Sequence, residues 1–155
     1  WLVRRSYASG YPDGSFRPAG SITRAQAVQW IWNRWGRPSG ADEPFDDVHA
    51  GHWAGVAIGW AADSGVVSGY PDGSFRPEDP VTRAQFVRML WVASGSPEPA
   101  GASPYPDTPA WSADAISWAA EHGIVRGYPD GSFRPNDPIS RAAASRMLHQ
   151  HAIDH

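Results

Sequence analysis

A chain of 155 residues with 41% hydrophobic residues can form one ordinary domain or a few small repeat units around a modest core. Its formal net charge of −3 argues against nonspecific nucleic-acid binding, which needs an excess of Lys and Arg to neutralise phosphates. The lack of cysteine excludes disulfides and thiolate metal sites, and no apolar run approaches the length of a membrane span. Nine tryptophans exceed the needs of so small a core, so some are expected to line a site.

The elements in chain order follow from an internal repeat. The nonapeptide Gly10-Tyr11-Pro12-Asp13-Gly14-Ser15-Phe16-Arg17-Pro18 recurs identically over 69–77 and 127–135, a period of 58 to 59 residues. Trp1 aligns with Trp60 and Trp118, so the chain is expected to open in the last turns of a first helix whose beginning is missing. Ser6 stands where Gly65 and Gly123 end the other two first helices. The nonapeptide reads as a tight turn: proline presets φ, aspartate accepts from nearby amides, and glycine takes a positive φ. A second helix opens at Thr23, where Gln26 completes a capping box and Val28, Ile31 and Trp32 form the apolar stripe.

After a linker over 36–44, Trp53, Ala57, Ile58, Trp60, Ala61 and Ala62 mark the first helix of copy two. Its second helix opens at Thr82 with Gln85, an expected Val81–Phe86 staple, and the stripe Val87, Leu90 and Trp91. A second linker, over 94–104, leads to copy three, where Thr108 is the expected N-cap and Pro109 the first helical residue. Trp111, Ala115, Ile116, Trp118, Ala119 and Ala120 follow. Ser140 opens the last helix, Ala143 breaks its capping box, and His149, His151 and His155 read as a solvated tail.

The units are therefore 1–36 (repeat one, partial), 37–95 (repeat two) and 96–155 (repeat three). None has enough apolar surface to stand alone, so the expected fold is all-α: three helix-turn-helix repeats sharing one core. Three units can close a ring of apolar faces, which predicts that the helices starting near Thr23, Thr82 and Ser140 surround an approximate threefold axis.

Arg24, Arg83 and Arg141 each stand fourteen residues after the glycine that opens a nonapeptide. A cation in the first helical turn opposes the helix dipole, so its threefold recurrence points to a use. Free first-turn amides with a planar guanidinium would receive a carboxylate or phosphate; the alternative is a salt bridge to a neighbouring repeat. Arg83 is the first choice, because its repeat is complete and flanked on both sides. Trp53 and Trp111, at the start of a first helix, would stack on a sugar ring or pack in the core. Trp1, Trp32, Trp60, Trp91 and Trp118 lie in helical stripes and read as core. Asp13, Asp72 and Asp130 fit turn chemistry, since the further oxygen ligands of a calcium loop are absent. Asp46, Asp47, Asp107 and Asp114 look like caps and surface charge. With no nucleophile elbow, zinc motif or phosphate loop, neither an enzyme, a cofactor nor a metal site is expected.

The Phe45-Asp46-Asp47-Val48 lead-in, Trp53 with Ala57-Ile58, the nonapeptide and the Thr-Arg-Ala-Gln helix start together resemble S-layer homology repeats over nearly the whole chain. The resemblance implies a pseudo-threefold spindle around a central three-helix bundle. It also implies grooves between adjacent repeats that hold pyruvylated secondary cell-wall polysaccharide. The module would be a noncatalytic, extracellular anchor at the bacterial cell wall or cell surface, without membrane insertion. By position in the family's Thr-Arg-Ala-Glu motif, Arg24, Arg83 and Arg141 inherit the groove arginine's role, with the pyruvate ketal carboxylate as partner. Gln26, Gln85 and Ala143 replace the usual glutamate, and Pro106 and Thr108 alter the third lead-in. A partial first repeat would leave one groove without a wall. It would also favour a rival reading, a structural module that self-associates through that repeat.

Overall fold

The computed structural model describes residues 7–8, 10–40 and 45–154, and the expectations for Trp1, Ser6 and His155 fall outside these. Among the described residues the chain is all-helical, without strands. The helices are α1 (Arg24–Arg34), α2 (Gly55–Asp63), α3 (Arg83–Ala93), α4 (Ala113–Glu121) and α5 (Arg141–Asp154), with a 3-10 turn, Ala110–Ser112, before α4.

Capping decides where the second helices begin. The Thr23 hydroxyl accepts from Gln26 N at 3.2 Å and the Gln26 side chain accepts from Thr23 N at 3.1 Å. Thr82 and Gln85 repeat the box before α3. Ser140 keeps one half, accepting from Ala143 N at 3.2 Å, because alanine has nothing to return. Each side-chain cap contributes about 1 kcal/mol. Thr108 does not cap a helix: its hydroxyl donates to Tyr105 O at 2.9 Å, and the 3-10 turn intervenes before α4. Gly65 and Gly123 end α2 and α4 at φ 71° and 64°, as expected of left-handed C-terminal glycines.

The residue before each cap builds a closed ring. Val81 N donates to Ile22 O (3.1 Å), Ile139 N to Val81 O (3.0 Å) and Ile22 N to Ile139 O (3.2 Å). Ile22, Val81 and Ile139 are fully buried. Copy one thus bonds copy three directly, which an open stack of repeats does not do. An apolar residue at that position secludes the three amides from water, where an unmade bond would be costly.

Around this ring α1 packs on α2, α3 and α5, and α3 packs on α4. The first helix of copies two and three therefore packs against the second helix of the copy before it. The linkers are tied down accordingly: the Trp32 and Trp91 indoles donate to Pro38 O and Pro97 O, and the Glu121 carboxylate accepts from Ala100 N and Gly101 N. Trp118 is fully buried, as its stripe position predicts.

The C-terminal histidines correct the solvated-tail reading at His151. This residue is 3% exposed, packs at a tilt against the Trp35 and Trp118 rings at 5.0 and 6.0 Å, and its Nε2 lies 2.9 Å from Ser94 Oγ. α5 runs on through Asp154, so its last turn enters the apolar space where α1 and α3 end. Packing there outweighs fraying.

Candidate functional site

Each of the three repeated arginines leaves its own helix and enters another copy. Arg24 Nε donates to Phe75 O (2.8 Å) and Nη2 to Ser68 O (3.3 Å), with the guanidinium over the Phe75 and Tyr70 rings at 4.6 and 5.2 Å. Arg83 does the same with Phe133 O, Arg126 O and the Phe133 and Tyr128 rings. Arg141 Nε donates to Phe16 O (2.7 Å), and its guanidinium lies over Phe16, Tyr11 and Trp30. All three are buried. Burial pulls each guanidinium below its ordinary pKa, and the Asp79 carboxylate partly offsets this for Arg24. They remain cations at neutral pH.

Two sequence expectations change here. The first-turn amides are not free: Arg24 N donates to Asp79 O and Ala25 N to Pro77 O, with the same pairs at Arg83–Asp137, Ala84–Pro135, Arg141–Gly20 and Ala142–Pro18. An anion at the site is therefore not held by these helix-start amides. The salt-bridge alternative also fails for Arg24 and Arg83, since among the described residues neither has a carboxylate within ion-pair distance. A guanidinium has five N–H donors, and for these two the carbonyl bonds use part of them.

A second arginine of each nonapeptide serves the turn itself. Arg17, Arg76 and Arg134 lie 3.8–3.9 Å above Tyr11, Tyr70 and Tyr128 and pair with Asp13, Asp72 and Asp130. Bonds from the Ser74 and Ser132 hydroxyls and amides, with the arginine, hold the Asp72 and Asp130 carboxyls at about 2. This is the turn chemistry expected of these aspartates. Arg76 and Arg134 adopt φ 57°, uncommon for a side chain with a Cβ. Asp47 holds the first in place by accepting from Phe75 N and Arg76 N at 2.7 Å, and Asp107 accepts from Phe133 N and Arg134 N at 2.8 Å. Their clamp role was not visible in the sequence, although both sit at one fixed place in the lead-in. Gly69 is required by close approach: a Cβ there would overlap the Phe45 ring, which stacks on Phe75.

Two grooves bring the predicted residues together. A cavity of about 480 Å³ is lined by Arg24, Ser68, Tyr70, Gln85, Arg88 and Trp111, among others. A second, of about 240 Å³, is lined by Tyr11, Gln29, Trp30, Asn33, Trp53 and Arg141. Each combines the arginine of one copy, the turn of the next and the tryptophan of the one after. Trp53 and Trp111 are 58% and 53% exposed, so the core alternative does not hold for them. Arg83 lines neither groove; the position matching Trp53 and Trp111 in copy one precedes residue 1. Sequence reasoning missed Arg88, whose signal was its alignment with Gln29 and Arg146.

The family model of the S-layer homology domain matches residues 1–28, 44–87 and 104–145. Cell surface glycoprotein 1 of Acetivibrio thermocellus is 33% identical over 94% of this chain and 7% of its own length. The cellulosome-anchoring protein of the same organism is 29% identical over 93% of the chain and 35% of its own length. S-layer protein EA1 of Bacillus anthracis is 33% identical over 70% and 13%. The chain thus spans between 7% and 35% of these relatives.

Proposed function

Because the chain belongs to the S-layer homology domain family, we propose that it is a noncatalytic module that anchors a protein outside the cell, at the bacterial cell wall or surface. Its ligand is an acidic secondary cell-wall polysaccharide, pyruvylated, held in the grooves between repeats. In this reading Arg24, Arg83 and Arg141 donate to ketal carboxylates, while Trp53 and Trp111 stack on sugar faces. The units 1–36, 37–95 and 96–155 act as one spindle around α1, α3 and α5. One observation carries the reading: a buried arginine, with carbonyls and aromatic rings around it, faces a solvent-open groove whose far wall is an exposed indole. Aromatic faces and charge-assisted donors together suit a charged sugar.

The test is sedimentation of the chain with wall polysaccharide before and after mild acid removes its pyruvate ketals. Loss of binding with the ketals supports the reading; equal binding by the depyruvylated glycan sinks the carboxylate role. Self-association is the second reading, favoured by the half-exposed apolar side chain of Val56. A concentration-dependent mass in solution, abolished by Val56→Ser, would support it.

A further inference from the structure

The groove that holds Arg24 contains a second cation. Arg88, half-buried on α3, lines the same cavity as Arg24 and Trp111. Among the described residues neither guanidinium has a carboxylate within ion-pair range. Two such guanidiniums on the lining of one cavity offer two charge-assisted forks to an acidic ligand. In the other groove the aligned residue is Gln29, whose amide donates to Asn33 Oδ1 at 3.3 Å, and Arg141 is the one cation among the described lining residues. That cavity is also half the volume, about 240 against 480 Å³.

We infer that the two grooves read different charge patterns on the glycan. The Arg24–Arg88 groove selects a segment with two anionic groups, a ketal carboxylate and a second acid on the adjoining sugar. The Arg141 groove takes a segment with one. Arg88 is the residue that sets the difference: it stands on a helix rather than a loop and offers a second planar fork at the larger cavity. This inference rests on the glycan-binding reading above and adds the charge class of each groove's ligand.

The indole N–H resonances of Trp111 and Trp53 report each groove separately in the intact chain, once assigned with Trp111→Phe and Trp53→Phe. Two probes are titrated: a methyl hexopyranoside bearing one pyruvate ketal, and the same ketal sugar linked to glucuronic acid. The two-acid probe should bind about tenfold more tightly than the one-acid probe at Trp111, and less than about threefold more tightly at Trp53. Arg88→Gln should bring the Trp111 ratio down to the Trp53 value, Arg88→Lys should keep most of it, and Gln29→Arg should raise the Trp53 ratio. Equal ratios at the two indoles, or a Trp111 ratio unchanged by Arg88→Gln, overturn the inference and leave the glycan reading standing. If neither probe shifts either indole, the glycan reading falls and takes the inference with it.

Discussion

The two grooves are built from the same parts and differ in size and lining: about 480 Å³ with Arg88 beside Arg24, and about 240 Å³ with Gln29 beside Arg141. In the Arg24 groove the wall is the turn over 69–77, clamped by Asp47 through the Phe75 and Arg76 amides. In the Arg141 groove the wall is the turn over 10–18. A repeat therefore does not own its groove: arginine, turn and tryptophan come from three successive copies, and the clamp comes from the lead-in of the copy that supplies the turn. Identical nonapeptides can thus sit in grooves with different linings.

The largest effect is expected from Arg24→Ala. The change removes a cation from the groove and leaves the buried Phe75 carbonyl without its donor, which costs about 1–3 kcal/mol of stability. Binding to wall polysaccharide, measured per folded molecule, should fall at least about tenfold, since charge-assisted bonds are worth about 1.5–3 kcal/mol. Arg83→Ala should cost similar stability, through Phe133 O, with a smaller loss of binding because Arg83 faces neither tryptophan groove. Equal binding losses for the two variants would show that facing a tryptophan-walled groove adds nothing to an arginine's role.

Next in size is the clamp. Asp47→Asn should destabilise the chain by about 1–2 kcal/mol in urea unfolding, because one of the two accepting oxygens becomes an NH2 that faces an amide N–H and the charge is lost. It should weaken the Arg24 groove and leave the Arg141 groove unchanged. Burial tends to raise the Asp47 and Asp107 carboxyls, but the two amides on each outweigh it and hold both below the ordinary value. Their stabilisation is present above the unfolded value of about 3.9 and is lost as pH falls through the lower folded one. The unfolding midpoint should therefore drop on acidification below about pH 4, and less steeply in Asp47→Asn. A pH profile identical to that of the parent chain would show that the clamp carries no such linkage.

A smaller effect is expected from the tryptophans. Trp111→Ala and Trp53→Ala should each lower glycan binding about three- to tenfold, with the melting temperature unchanged because both side chains are more than half exposed. A marked drop in melting temperature would return them to a packing role. Smallest of all is Arg76→Ala, which removes a solvent-exposed pair with Asp72 and should leave the melting temperature unaltered. If it matched Arg24→Ala in either assay, the division between turn arginines and groove arginines would be wrong.

The sequence by itself determined the repeat, the helix starts at Thr23, Thr82 and Ser140, the glycine exits at Gly65 and Gly123, and the all-α class. These depend on interactions within a few residues: capping boxes, left-handed glycines and apolar spacing. It also singled out Arg24, Arg83, Arg141, Trp53 and Trp111, since recurrence against local preference is visible in one dimension. Only the tertiary structure decided which of them meet. Arg24 reaches Phe75 and shares a groove with Trp111, partners that lie in two other copies. The first-turn amides bond carbonyls of another copy, and His151 is buried because α5 extends over the ends of α1 and α3. The hydrogen bonds that close the ring through Ile22, Val81 and Ile139 make neighbours of residues that stand far apart along the chain. A repeat pattern fixes what each copy contains, whereas the rotation between copies fixes which surfaces face each other, and that rotation is set by packing across copies.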